Sequence, residues 1–117
     1  MLETLLVLGL LAALVVGGVV AVVVSWQALV VGGLVLVGIG SVLGIPTGVW
    51  YHVALYRCLA PRGELPSGWW VSPVRFHVHL REEEQPEVMR WFFLGGFGFM
   101  VMMVGCFVLM LGVLMTP

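Results

Sequence analysis

Lysine and aspartate are absent from this 117-residue chain, and the five basic residues, Arg57, Arg62, Arg75, Arg81 and Arg90, all fall inside one internal stretch. From Thr4 to Tyr51, and again from Trp91 to Pro117, there is no arginine, glutamate or histidine at all. Buried acids, bases and histidines are the usual marks of proton relays, ion paths and coupled transport through a bilayer. Their absence from the long apolar runs excludes a proton-driven transporter and a charged ion filter, and leaves no group for catalysis inside a membrane. Cysteine is nearly absent too. Cys58 belongs near the charged stretch, whereas Cys106 stands about 15 residues into an apolar run that rises about 1.5 Å per residue as a helix. The two are too far apart to pair, and the chain is expected to carry no disulfide.

What remains is apolar. Hydrophobic residues make up 62% of the chain and charged residues 9%, against roughly 25% charged in an average soluble domain. A chain this short has too little interior to hide so much apolar surface from water. Lipid is therefore the expected solvent. Glu64, Glu82, Glu83, Glu84 and Glu87 match the five arginines and Glu3 leaves the net charge at -1, so no basic stripe for nucleic acid exists. Glu3 and the lack of a basic leading segment argue against a cleaved secretory signal. The first apolar run is expected to be retained as a span.

A hydrocarbon core of about 30 Å takes about 20 apolar residues of helix. This predicts an all-α integral-membrane fold with three transmembrane helices, over 4–24, 28–51 and 91–115, joined into a single membrane domain of residues 1–117. Ser25-Trp26-Gln27 is the short break that makes the first two spans a tight hairpin. Breaks at Gly17-Gly18 or Gly32-Gly33 would leave spans that are too short. Pro46 removes a backbone donor inside the second span and is expected to kink it, with Thr47 placed to satisfy freed groups. Pro86 at a first helical position and Glu87 in the first turn predict that the third helix starts before the membrane does. Trp26, Trp50, Trp69, Trp70 and Trp91 fall at or beyond the span ends, where an indole prefers headgroup depth. With the basic 57–90 loop on the cytoplasmic side, the amino terminus is cytoplasmic and the carboxyl terminus extracytoplasmic. Arginine without lysine, in a Gly-, Val- and Leu-rich chain, suggests a bacterial inner membrane.

Small residues recur along all three spans. Gly9, Ala13, Gly17 and Ala21 form one row, Gly40, Gly44 and Gly48 a second, and Gly98, Gly105 and Gly112 a third at seven-residue spacing. Such rows let helix backbones approach closely, which is a principal source of helix association in lipid. Gly32-Gly33 and Gly95-Gly96 are read as lying on other faces, left for helices of other chains.

The loop carries the remaining chemistry. Val74 to Arg81 alternates apolar and polar. As an extended strand it would place Val74, Phe76, Val78 and Leu80 on one face and Arg75, His77, His79 and Arg81 on the other. The first reading is a segment lying on a membrane or partner. A phospholipid or partner contact through Trp69, Trp70, Arg75, His77, His79 and Arg81 is the second. A metal held by His77 and His79 is a third, although a closed site needs further ligands. His52, one turn before Tyr56-Arg57, is the candidate axial ligand of a haem or pigment, while no cofactor is expected on the leading reading. Met102, Cys106 and Met110 lie one turn apart and have the sulfur ligands that suit soft metals, but methionine is also an adaptable packing residue.

The expectation is a non-enzymatic small accessory subunit of a larger respiratory, photosynthetic or transport complex. It would pack by its small-residue rows, dock through the Trp/Arg/His loop and have other membrane subunits and phospholipid as partners. The alternatives are a homo-oligomeric channel or carrier for neutral or soft-metal solutes, and a haem- or pigment-binding membrane subunit.

Overall fold

A computed structural model describes residues 1–117. The chain is 85% helical and has no strands. Helix α1 spans Leu2–Val23, α2 spans Trp26–Leu59 and α3 spans Gln85–Leu114, with short 3-10 turns at Ala60–Arg62, Trp69–Val71 and Pro73–His79 between the last two. All three long helices are long and apolar enough to cross a membrane. At about 1.5 Å per residue they measure roughly 33, 51 and 45 Å, so α2 and α3 outrun a hydrocarbon core of about 30 Å.

Two boundaries differ from the sequence reading. Helix α2 does not fade at Tyr51 but continues to Leu59. Its last turns are held by an apolar stripe, Tyr51, Ala54, Leu55, Cys58 and Leu59, whose helical spacing puts all five on one face. Between Pro73 and His79 the backbone is a 3-10 helix rather than an extended strand. With about three residues per turn, the inward side chains become Phe76, His77 and Leu80, while Val74 and Val78 are exposed. Pro73 starts this turn with a preset φ and no donor to lose. The alternation of polar and apolar residues is real, but the chain does not use it.

The chain divides into two compact units, one made of residues 38–102 and the other of residues 1–37 with 103–117. In the first, Tyr51, Ala54 and Leu55 pack with Leu59, Leu80 and Val88, flanked by Cys58, Leu65, Trp69, Phe76, Trp91 and Phe92. Leu55, Leu59 and Val88 are fully buried, each contributing on the order of 1.5–3 kcal/mol where the alternative is water. Gly63 ends the chain's exit from α2 with φ 68°, and its N–H donates to the Ala60 carbonyl at 3.0 Å. A β-carbon there would be strained, which is why glycine stands at this turn. Arg62 ties the loop to the start of α3: its Nη2 donates to Glu84 Oε2 at 2.8 Å and its Nε to the Cys58 carbonyl at 3.1 Å.

Nearer the middle of the helices, α2 and α3 of this unit meet through backbone. A Cβ added to Gly98 would stand 2.5 Å from the Gly44 Cα, one on Gly40 would stand 2.8 Å from the Gly98 carbonyl oxygen, and one on Gly95 would stand 3.2 Å from the Gly48 Cα. Partner numbers fall on α3 as they rise on α2, so the two segments run antiparallel. Pro46 sits in uninterrupted helix. The Thr47 hydroxyl donates to the Leu43 carbonyl and at 3.3 Å to that of Gly44; the carbonyl that Pro46 leaves without a helical donor is that of Val42, one position earlier.

In the other unit, Ser25 caps α2 by accepting the Ala28 N–H at 3.3 Å. Both Gly17-Gly18 and Gly32-Gly33 lie in continuous helix. A Cβ on Gly33 would lie 2.7 Å from the Leu109 Cα, one on Gly105 2.6 Å from the Val37 nitrogen, and one on Gly112 2.8 Å from the Val30 nitrogen. On α1 only Gly17 is buried, and a Cβ there would meet the Phe107 ring at 3.5 Å. Gly9 faces nothing within 4 Å, and Ala13 is exposed.

Two glycines assigned to outward faces are therefore inward. Gly33 meets the Leu109 backbone in its unit, and Gly95, three residues before Gly98, meets Gly48 in the other. Their neighbours Gly32 and Gly96 do face open space.

Candidate functional site

Where α2 emerges from its glycine contact with α3, two histidines flank Tyr51. The Tyr51 side chain is buried and touches His52, His77 and Phe92, with ring centroids 5.2, 5.7 and 5.4 Å away. Its hydroxyl and His77 Nε2 share a hydrogen bond. His77 is also edge-on to Phe92, centroids 5.2 Å apart. Burial among these rings holds the His77 imidazole below its ordinary pKa of 6.5, since desolvation disfavours the charged form.

His52 faces another way. Its Nδ1 lies 2.8 Å from the Gly48 carbonyl oxygen and its Nε2 3.3 Å from that of Trp70. The ring looks onto a groove of about 580 Å3 lined by Gly44, Ile45, Gly48, Val49, His52, Val53, Tyr56, Trp69 and Trp70. Trp69 forms one wall, stacked on Tyr56 with centroids 6.0 Å apart and tilted against His52 at 5.8 Å. Gly68, with φ 79°, turns the chain into the Trp69–Val71 turn that borders the groove. The Arg57 guanidinium folds back over the Trp50 ring, 5.3 Å from its centroid, a cation-π pairing. Trp50 in turn meets Trp91 edge-on at 6.1 Å.

The residues singled out in the loop do not converge. Trp69 is half-buried and Trp70 is 66% exposed. His77 turns inward to Tyr51, whereas His79 is exposed beside Phe76. The 3-10 backbone separates the two imidazoles that a strand would have aligned. No three His, Cys, Asp or Glu side chains gather in an arrangement able to hold a metal ion. Arg75 is exposed, and Arg81 uses its backbone N–H to donate to Glu84 Oε2 at 3.1 Å. That bond, followed by the Arg62 charge, holds the Glu84 carboxyl below its ordinary 4.5. On α3, Met102 turns to α2 and accepts from the Ser41 hydroxyl at 3.6 Å, while Cys106 and Met110 are exposed.

Sequence reasoning missed Tyr51 and Glu84. Tyr51 was read as the last residue of a span, but with Ala54, Leu55, Cys58 and Leu59 it begins a helical stripe that was available to see. Glu84 belongs to a run of three glutamates, and nothing local marks which of them meets Arg62. Comparison with known protein families, with curated proteins and with solved structures finds no match to this chain. Fold and site together define an all-helical protein with three helices fit to cross a membrane. Its buried aromatic knot lies where the central helix leaves its glycine seam.

Proposed function

We propose that this chain is a non-catalytic small subunit of a larger integral-membrane complex. The observation that supports it most is the state of α1. That helix buries only Gly17 within the chain, yet the same row carries Gly9 and Ala13 with room for close approach. Helices in lipid associate where backbones come near each other, so an unfilled small-residue row offers a seat to a helix from another chain. The α2–α3 seam and the aromatic knot form the internal support, and α1 is the docking element. The 57–90 loop lies on the cytoplasmic side of a bacterial inner membrane, where exposed Arg75 and Arg81 meet phospholipid phosphates or a partner.

Native extraction in mild detergent, followed by sizing and mass spectrometry, tests this reading. Stoichiometric companions that are lost in a Gly9→Leu/Ala13→Leu variant are the expected result. A homogeneous assembly of this chain alone would replace it with a homo-oligomeric channel or carrier.

A further inference from the structure

The chain that leaves α2 at Leu59 folds back towards the span. With a rise of about 1.5 Å per residue, Leu59 stands about 10 Å beyond His52, and two tethers bring the loop back over that distance. The His52 ring leans towards the amino-terminal end of α2, as helical side chains do, with Nδ1 2.8 Å from the Gly48 carbonyl oxygen. The Trp70 carbonyl oxygen lies 3.3 Å from Nε2 of that ring, so Trp70 stands beside the turn from Gly48 to His52. The second tether is the hydrogen bond between the Tyr51 hydroxyl and His77. Tyr51 and His52 directly follow Trp50, whose ring meets Trp91 at 6.1 Å, and indoles at span ends mark headgroup depth. The segment from Trp70 to His77 is therefore held level with the aromatic belt.

Its outward face is apolar. Trp70, Val71, Val74 and Val78 are 66%, 72%, 53% and 83% exposed, while the 3-10 backbone turns Phe76, His77 and Leu80 inward. Exposed apolar groups gathered outside the long helices mark an interaction surface. Their level selects the partner. A water-soluble protein would have to enter the headgroup layer to cover them, whereas lipid is already there. Arg75 is exposed in the midst of this face, and the ion pairs of the chain involve Arg62 alone. Its free guanidinium suits the anionic phosphates of a lipid leaflet. Short 3-10 turns leave backbone groups that water among the headgroups can satisfy and hydrocarbon cannot, so the segment belongs at the boundary and not in the core.

We propose that residues 70–78 form a wedge in the cytoplasmic leaflet, with Trp70, Val71, Val74 and Val78 among the upper acyl carbons and Arg75 on lipid phosphate. Interfacial elements bury an apolar face about 5–10 Å into this boundary. The inference rests on the membrane placement proposed above and not on any companion subunit.

Spin labels test it in the full-length chain, reconstituted in vesicles of phosphatidylcholine and phosphatidylglycerol. In a Cys58→Ala/Cys106→Ala background, single nitroxides are attached through Val71→Cys, Val78→Cys, Glu82→Cys or Phe97→Cys, all at exposed positions. The Glu82→Cys label reports water, and the Phe97→Cys label, within the apolar part of α3, reports lipid. Labels at Val71→Cys and Val78→Cys are expected to relax with oxygen. Their access to a water-soluble nickel chelate should be about tenfold below that of the Glu82→Cys label, the exclusion that a transfer cost of about 1.4 kcal/mol gives. Arg75→Glu should raise chelate access at both, and unchanged access overturns the phosphate contact. Chelate access at Val71→Cys or Val78→Cys equal to that at Glu82→Cys, with Phe97→Cys still in lipid, overturns the wedge and assigns the face to a protein partner. Chelate access at Phe97→Cys as well overturns the membrane placement itself, and the wedge with it. The companions found by native extraction are independent of all these outcomes.

Discussion

Tyr51 and His77, 26 residues apart in the chain, share a hydrogen bond that fastens the Pro73–His79 turn to α2. The groups around His77 offer no counter-charge: Tyr51 on α2, Phe92, Met89 and Gln85 on α3, and Leu80 on its own segment. Arg75 and His79, the other titratable or charged groups of its turn, are exposed.

This predicts a loop that loosens in acid. His77 has a folded pKa below its ordinary 6.5, so the released loop binds more protons than the docked one. The stabilisation is complete above 6.5 and is lost as pH falls through that value towards the folded pKa. Hydrogen-exchange protection across residues 69–80, measured against the intrinsic rate at each pH, should fall between pH 7 and 5. His77→Phe should remove the pH dependence, and an unchanged profile in that variant would assign it to another group.

Removing the hydroxyl with Tyr51→Phe leaves the ring packing and deletes the bond. The expected cost is about 0.5–1.5 kcal/mol, read as faster exchange at His77 and its neighbours. Melting of the long helices should barely change.

Glu84 gives an opposite-end test. Its carboxylate is held below 4.5 by the Arg81 N–H and by Arg62, so its contribution is present above 4.5 and disappears as pH falls through the lowered folded value. Glu84→Gln should melt earlier at pH 7. The difference from the parent should close in stronger acid. Both partners are partly exposed, so the effect should stay below about 1 kcal/mol.

Glycine positions should divide by what they face. Gly98→Val places side-chain atoms against the Gly44 backbone, where even a Cβ stands 2.5 Å away. Overpacking of this kind costs about 1–3 kcal/mol, and thermal unfolding in detergent should report it. Gly96→Val, two residues away and facing open space, should be neutral. Equal effects would mean that the seam is not formed in the detergent-solubilised protein.

Orientation is open to direct measurement. A reporter fused after Pro117 should register as extracytoplasmic and one inserted at Gly63 as cytoplasmic. The reverse pattern would overturn the orientation argued from the arginines.

Much of the architecture was legible because its signals are local. Long uncharged runs, Trp26 and Trp91 near their ends and Pro86 before the third helix all act through neighbours in sequence. The site was less legible. His52 stood out as a lone histidine beside an apolar run, but its groove exists only because Gly68 turns Trp69 and Trp70 back onto α2. The Val74–Arg81 pattern pointed to a strand. Pairing inward side chains at Phe76, His77 and Leu80 instead required knowing that Tyr51 and Phe92 wait beneath them.

Composition and periodicity by themselves determined that the chain is helical, apolar enough for lipid and charged only between its second and third long helices. These are consequences of solvent preference and backbone hydrogen bonding, which each segment meets alone. Tertiary structure decided which glycines touch, that Gly33 meets Leu109 and Gly95 meets Gly48 while Gly9 and Gly32 stay open, and that His77 and His79 part company. Those outcomes depend on where a second surface lies, and a residue carries no local record of a partner dozens of positions away.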